Sequence, residues 1–328
     1  MLSERFEGLR RAPWRAPLYA AVAIAVFTVW VAFSIGGDAV TKAVDDLGTL
    51  AAATAAAVQC FRAGRRVDGR SRRFWLLLGA ATSAWAFGEA TWAGYDLVLN
   101  QPVPTPSYAD LGYLGAIPLA IAALLCHPAN RRRGNVRAFL DGSILATALL
   151  FLSWTYALGP VWQQNDVTTS AGVVSVAYPF GDVVLVFLLT RVLVDLDQSL
   201  RRAIGLVFAG LLAMSLSDSA YTYLTAVREY TTGNLIDVGW LVAYLAIAAG
   251  ASCAVSIETA ATHHRRRVPN DAVGLLAPFL PVLLSLGVVG IRAQDGTALD
   301  GASLLLAVAL TSLVLIRQAI AAIHPADE

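Results

Sequence analysis

The stretch MSLSDSAYTYLTAVREYTTGNLIDVGWLVAYL, residues 214–245, contains two apolar segments on either side of a short polar break. Asp218 lies inside the first segment and Asp237 begins the second. Both segments are otherwise apolar enough to lie in lipid, where an ionised carboxylate costs roughly 1–3 kcal/mol unless it faces protein or water. The stretch therefore predicts a membrane hairpin of two helices with acids held in its interior.

The composition of the whole chain is that of a membrane protein. Hydrophobic residues make up 57% and charged residues 14% of its 328 residues, whereas charged residues reach about a quarter in soluble domains. Apolar stretches of roughly 20 residues, the length that crosses hydrocarbon as a helix, recur along the chain. We predict an all-α, polytopic helical bundle with ten transmembrane segments, at about 17–36, 39–61, 74–98, 108–126, 138–160, 176–194, 202–225, 235–257, 272–291 and 299–322.

Basic residues predict the orientation of this bundle, because Lys and Arg accumulate in cytoplasmic loops. All but three of the 24 basic residues fall on the side of the N-terminus; the exceptions are Lys42, Arg228 and Arg292. Both termini are therefore expected in the cytoplasm. Abundant Arg and Ala favour a bacterial plasma membrane. We expect a cytoplasmic segment at 1–16, one transmembrane domain at 17–322 and a cytoplasmic tail at 323–328.

Internal similarity predicts that the bundle repeats one helical hairpin. Residues 85–120 and 214–248 both contain a helix of small residues, an acid, aromatic residues, a polar loop, and then an Asp followed by an aromatic residue and Leu. Glu89 corresponds to Asp218 in this alignment, and Asp110 corresponds to Asp237. We predict five parallel hairpins, at about 17–61, 74–126, 138–194, 202–257 and 272–322.

An Asp near the start of each returning helix has a structural explanation, since it caps free N–H groups and complements the helix dipole. Weaker copies of this pattern begin at Asp46 and in YPFGD, residues 178–182, which we interpret as the start of a helix. We expect the capping role for Asp110, Asp182, Asp237 and Asp300.

Glu89 and Asp218 differ from these caps because each lies inside an outgoing helix, on the order of 10 Å from its external end. Trp85 and Trp92 share the helical face of Glu89, and Tyr221 shares that of Asp218. Three interpretations stay open. The acids belong to hydrogen bonds that hold helices together, to an outward-opening pocket for a small polar or cationic ligand, or to a proton or ion pathway.

Motifs for catalysis do not occur in the sequence. It contains no nucleophile elbow, phosphate loop, HExxH or CxxC, so we expect neither enzymatic activity nor a cofactor. Cys126-His127 and His263-His264 offer ligand atoms without the spacing of a zinc site, and no metal is expected. The basic loops are explained by membrane topology, so no nucleic acid partner is expected.

Three stretches together resemble a known family: LDGSILATALLFLSWTYALGP at 140–160, AYPFGDVVLVFLL at 177–189, and residues 216–245. They resemble the multi-pass N-terminal membrane region of many actinobacterial signalling proteins with GGDEF and EAL domains, which make and degrade cyclic di-GMP. The resemblance extends over about residues 20–320 and implies a sensory module that biases a cytoplasmic output domain. The last residues are RQAIAAIHPADE, so the output is expected to pass through a cytoplasmic signalling protein or a homodimer.

These observations predict a membrane sensor that binds an external or outer-leaflet cue. The alternatives are a small-solute or proton-coupled transporter and a non-catalytic structural membrane partner. Membrane lipid is an expected partner in all three cases. The residues expected to bind the cue are Glu89, Trp92, Asp110, Asp182, Asp218, Tyr221 and Asp237.

Overall fold

The computed structural model describes residues 15–128, 136–159, 170–194, 198–226, 229–260, 280–294 and 299–323. These residues form helices and turns, with no β-strand among them, which confirms the all-helical prediction. Each helix overlaps one predicted segment. The helices are α1 Arg15–Ala32, α2 Asp38–Gly64, α3 Gly69–Ala93, α4 Tyr108–Cys126, α5 Val136–Ser153, α6 Ser170–Val194, α7 Gln198–Ala226, α8 Asp237–Ala260, α9 Leu280–Gln294 and α10 Gly301–Ile323.

Six of these helices are long and apolar enough to cross a membrane: α1, α4, α6, α7, α8 and α10. Helix α5 adds a shorter apolar stretch, Phe139–Ser153. The lengths and composition indicate a helical, multi-pass membrane protein. That all ten helices cross the membrane stays a prediction, because α2 and α3 carry several charged residues and α9 has 15 residues.

The chain divides into two compact units. That 17–322 is one transmembrane domain stays a prediction. The first unit contains α1 to α4, residues 198–217 of α7, and α8. The second contains α5, α6, residues 218–226 of α7, α9 and α10.

In the first unit, α4 packs on α3, α3 on α2, α2 on α8, and α8 on α1. Helices α1 and α2, a predicted hairpin, contact each other much less than each contacts α8. Small residues allow close crossings within the unit, as they do in membrane bundles generally. A Cβ on Gly250 would lie 2.6 Å from the Ala203 carbonyl oxygen of α7.

In the second unit, α5 packs against α6, α9 and α10. Ile144 and Ala148 of α5 meet Val282 of α9 and Leu310 of α10 in a small apolar core. At one end, Arg317 Nε donates to Asp141 Oδ1 over 3.1 Å. Arg317 therefore joins α10 to α5. The sequence analysis counts it only among the basic residues that predict the orientation.

Two helices, α3 and α5, end in a π-helical turn, a feature that often marks functional sites. Helix α3 continues into the turn Gly94–Val98, and α5 into Trp154–Leu158. Each turn presents a polar side chain to another helix. Asp96 pairs with Lys42 in the first unit, and Trp154 Nε1 donates to Asp300 Oδ2 over 2.9 Å in the second.

The predicted Asp caps are confirmed at three helix starts. Asp110 Oδ2 accepts the Ser107 N–H over 2.6 Å in a capping box, and Asp300 Oδ1 accepts the Ser303 N–H over 3.0 Å. Asp237 accepts two N–H groups at the start of α8, one of them from Asn234 over 2.8 Å.

The capping prediction is wrong for Asp182. Helix α6 begins at Ser170, so YPFGD lies inside the helix and not at its start. Membrane helices tolerate an internal Pro such as Pro179, and the apolar residues before it continue the helix. Asp46 likewise lies inside α2, which begins at Asp38.

His127, after the end of α4, is buried against α3. Its ring meets the Phe74 ring edge-on with centroids 4.9 Å apart. Burial disfavours the charged imidazolium and lowers the pKa of His127 from 6.5 to about 4. The neutral imidazole is thus part of the packing at this end of the first unit. His263 and His264, its suggested metal-binding partners, lie outside the described residues.

We expect His127 to make stability depend on pH between 6.5 and 4. Above pH 6.5 the imidazole is neutral in both folded and unfolded chains, and its packing contributes fully. Below that pH the unfolded chain binds a proton that folded His127 does not, so wild type loses about 2 kcal/mol between pH 7 and pH 5 through this group. Thermal unfolding in detergent at both pH values should show a smaller loss of stability from pH 7 to pH 5 for His127→Phe than for wild type. An equal loss in the two proteins would contradict the prediction.

Candidate functional site

Five buried carboxyl groups gather at one end of the first unit. None of the five side chains is more than 9% exposed. They come from the first turns of α2, the end of α3, the π-helical turn after it, and the start of α8. We call this group the acidic cluster; it consists of Asp45, Asp46, Glu89, Asp96 and Asp237.

Asp45 and Asp237 join α2 to α8 through a shared donor. The Gly233 N–H donates to Asp237 Oδ2 over 2.9 Å and to Asp45 Oδ2 over 3.1 Å. Gly233 has a φ of 91°, which a glycine adopts without strain. The shared donor places the two carboxyl groups beside each other, one from α2 and one from the start of α8.

Lys42 supplies the positive charge of the acidic cluster. Its ammonium forms an ion pair with Asp96 Oδ1, and its side chain is 34% exposed while Asp96 is buried. Lys42 is the only Lys or Arg in residues 38–61, 74–126 and 237–260. The cluster thus has more carboxyl groups than basic partners.

Glu89 lies in the last turns of α3, seven residues before Asp96. Tyr244 of α8 donates its hydroxyl to Glu89 Oε1 over 2.7 Å. The Trp85 ring lies against Tyr244 with centroids 6.2 Å apart. This geometry agrees with the interpretation of Glu89 as part of a hydrogen bond that holds helices together, with an aromatic residue on the same helical face.

Several oxygen atoms in this region are buried without a hydrogen-bond partner among the described residues. The buried Asp46 carboxyl group is a neighbour of Asp45, Glu89 and Asp96. Thr41 is 4% exposed, one turn before Asp45 on the same face of α2. The atoms are Thr41 Oγ1, Asp45 Oδ1, Asp46 Oδ2 and Asp96 Oδ2. A buried polar atom without a partner costs free energy, so the site is built to accept hydrogen-bond donors or positive charge.

The seven residues predicted to bind the cue are divided between the two units. Glu89 and Asp237 belong to the acidic cluster, whereas Asp110 caps α4. In the second unit, Asp218 and Tyr221 are half-buried on the end of α7. Two others complete the set, the half-buried Trp92 on α3 and the buried Asp182 inside α6. A single recess shared by all seven stays a prediction.

Sequence reasoning did not assign Asp45, Asp46, Asp96 or Lys42 to the site. Asp45, Asp46 and Lys42 lie in the predicted segment 39–61, where Asp46 begins a weak copy of the capping pattern and Lys42 is one of the three basic residues on the predicted external side. Two signals pointed toward them. Lys42 is the only lysine of the chain, and Asp96 follows Glu89 by seven residues, two turns along the same helical face.

Chemically, the acidic cluster is able to bind protons or cations. Its acids differ in their partners: Asp45 and Asp237 share one N–H donor, Asp96 pairs with Lys42, and Glu89 accepts from Tyr244. Comparisons with protein families, curated proteins and solved structures give no match. The role of the cluster is therefore inferred from its own geometry, burial and charge.

Proposed function

We propose that this protein is a membrane sensor, and that the acidic cluster of its first unit is the element that responds to an external or outer-leaflet cue. The single observation that carries the proposal is the accumulation of five buried carboxyls around one lysine. Ionisable groups inside membrane helices are costly, and they are typical of functional sites. A cation or proton that reaches the cluster changes the charge between α2, α3 and α8, and with it the packing of these helices.

The predicted orientation supports an external location for the cluster. It combines the start of α2, the end of α3 and the start of α8, which lie on one side of the membrane if the helices alternate in direction. The positive-inside distribution assigns that side to the exterior and both termini to the cytoplasm. By its resemblance to sensory regions, we propose a bacterial plasma membrane and a cyclic di-GMP signalling protein or a homodimer as the cytoplasmic partner.

A transport pathway has less support, because the acids do not continue across the first unit. Beyond Glu89 the helices toward the predicted cytoplasmic end contain no Asp or Glu in residues 47–64, 69–88, 111–126 and 238–257. Buried Leu78, Phe74 and Ala81 occupy this part of α3. A proton relay needs titratable groups or water along its whole length, whereas a sensor needs them only at the binding end.

One observation favours a structural membrane partner as a second candidate. Tyr244 of α8 donates a hydrogen bond to Glu89 of α3 and so joins the two helices. Asp110 stabilises the start of α4 through a capping box. This role accounts for those two residues. It does not account for Asp46 and Asp96, each of which has a buried oxygen without a partner among the described residues.

The sensor proposal predicts that neutralising Asp46 changes the far end of α2. Asp46→Asn abolishes any negative charge at this position, as a bound cation or proton would neutralise it. The turn at residues 65–68, between α2 and α3, lies about 27 Å away along the helix. We expect amide hydrogen exchange of the full chain in nanodiscs to change about fivefold at this turn, the lower range of coupling between sites.

Asp38→Asn is the matched control, because Asp38 is an exposed acid on the same helix. It should leave exchange at the turn unchanged. If Asp46→Asn affects only the residues around the cluster, no signal crosses the unit and the sensor proposal fails. Proton flux into proteoliposomes above that of protein-free vesicles would instead favour the transporter.

A further inference from the structure

Arginines crowd the connection between α2 and α3, at the end of the first unit opposite the acidic cluster. We call residues 62–73, which end α2 and begin α3, the arginine turn. The only acid of the turn, Asp68, is exposed and does not cap α3 with its side chain. Half of the twelve residues are arginines: Arg62, Arg65, Arg66, Arg70, Arg72 and Arg73. All of them are exposed except the half-buried Arg70.

Packing beneath the arginine turn fixes its backbone. Val67 is buried in the turn itself, and Phe74 is buried directly after it on α3. A Cβ on Gly64 would lie 2.9 Å from the side chain of Leu76, so α2 and α3 approach closely at this end. The arginines of both helices are therefore presented together on a fixed backbone, and a ligand that binds them loses little free energy in ordering the chain.

The exposed face of α2 is apolar until it reaches the arginine turn. Its residues follow one another at helical spacing: Leu47, Ala51, Ala55, Val58 and then Arg62. The exposed hydroxyl on this side of α2, that of Thr54, donates to the Leu50 carbonyl oxygen over 2.8 Å. A face of this kind suits hydrocarbon, where each polar group must be satisfied within the protein.

Helix α3 has the same arrangement in the opposite direction. Arg72 and Arg73 are exposed in its first turns, and Phe87 further along is 54% exposed. The hydroxyls of Ser83 and Thr91 each donate to a carbonyl oxygen one turn earlier, over 2.8 Å. Both helices thus pass from an exposed apolar face to exposed arginines at the same end.

The spacing along α2 fits the level of lipid headgroups. Val58 is the last exposed apolar residue of the face, and Arg62 follows it by about 6 Å along the helix axis. The headgroup layer of one leaflet is roughly 5–8 Å thick, so the guanidinium groups of the turn reach phosphate when Val58 contacts acyl chains. A soluble anion would leave the apolar faces uncovered, whereas a lipid covers both the faces and the arginines.

We propose that the arginine turn is a binding surface for anionic phospholipids. The guanidinium groups donate to the lipid phosphate, whose oxygens match the paired N–H donors of arginine. The acyl chains of the same lipid lie against the exposed apolar faces of α2 and α3. This inference goes beyond the sensor proposal and does not depend on the acidic cluster. It also goes beyond membrane orientation, because it assigns these arginines a ligand of defined chemistry.

The test is thermal unfolding of the full chain in a non-ionic detergent at constant ionic strength. The probes are phosphatidylglycerol, phosphatidylcholine and inorganic phosphate. Ligand binding to the folded state raises the unfolding midpoint in a saturable way. Phosphatidylglycerol should act at about tenfold lower concentration than phosphatidylcholine, which has no net charge, because each arginine near an anionic surface contributes about fivefold. Inorganic phosphate at the same concentrations should have no effect. Equal curves for the two lipids, or a rise with inorganic phosphate equal to that with phosphatidylglycerol, would overturn the proposal.

Variants localise the lipid on the turn. Arg65→Gln/Arg66→Gln should weaken phosphatidylglycerol about tenfold and leave phosphatidylcholine unchanged. Arg65→Lys/Arg66→Lys keeps both charges and should lose no more than about threefold, the contribution of the guanidinium fork. The matched control, Arg132→Gln/Arg133→Gln, removes two charges from another basic stretch of the sequence and should bind like wild type. An equal loss in the two Gln pairs would indicate attraction to basic residues in general and overturn the assignment to this turn.

Wild type gives a second measurement that does not depend on how well the variants fold. Salt screens interactions between exposed charges, and Arg65 and Arg66 are exposed. The affinity for phosphatidylglycerol should fall on the order of fivefold between about 0.05 and 0.5 M NaCl, while that for phosphatidylcholine stays constant. If salt leaves the phosphatidylglycerol curve unchanged, the lipid is held by its acyl chains alone and the proposal fails.

Discussion

Replacing Lys42 with methionine is expected to lower the stability of the protein by about 2 kcal/mol. Loss of one partner from a fully buried ion pair typically costs about 3–5 kcal/mol, since the other charge stays buried and uncompensated. Lys42 is one-third exposed, so water screens part of this interaction and the expected cost is smaller. Asp96, in contrast, is 6% exposed and has no access to such screening.

A double-mutant cycle separates the ion pair from the loss of the lysine stem. Asp96→Asn alone leaves Lys42 able to reach solvent and should cost less than Lys42→Met. The double variant Lys42→Met/Asp96→Asn should recover much of the loss, because no charge is left without a partner at this position. Lys42→Arg should stay close to wild type. The measurement is the thermal midpoint in one detergent; strictly additive single effects would mean that the pair contributes nothing to stability.

The helices were predictable because each signal is local. Apolar stretches of membrane-spanning length mark ten segments, and a described helix overlaps every one of them. The capping box at Ser107 and Asp110 starts α4 where the sequence predicts it. The start of α6 was mispredicted because Pro179 and Gly181 resemble a helix boundary. In this helix the apolar residues before Pro179 extend the helix to Ser170.

The acidic cluster was only partly predictable, because it depends on which helices are neighbours. Glu89 and Asp237 are recognisable from the repeat. Asp45 joins them only because α2 packs between α3 and α8, whereas the sequence pairs α2 with α1 in a hairpin. A buried acid lowers the mean hydropathy of its segment, so hydropathy alone argues against such a residue. The folded chain brings Asp45 next to Gly233, far away in the sequence, whose N–H donates to it.

Gly112→Ala is expected to destabilise the first unit by about 3 kcal/mol, the upper part of the range for overpacked cores. A Cβ at this position would lie 2.5 Å from the Ala84 carbonyl oxygen and 2.6 Å from the Gly88 backbone nitrogen. Both are backbone atoms of α3, which cannot move aside as a side chain does. The added methyl group must therefore push α4 away from α3 along the contact that small residues make possible.

Gly115→Ala is the matched control on the same helix, since a Cβ there meets no atom within 4 Å. Alanine favours a helix over glycine by about 1 kcal/mol, so this variant should be equal to or more stable than wild type. The two variants add the same methyl group to α4 and differ only in what it meets. If the thermal midpoints of both variants fall, the added methyl group destabilises α4 itself. A fall confined to Gly112→Ala assigns it to the α3–α4 contact, on which the positions of Glu89 and Asp96 depend.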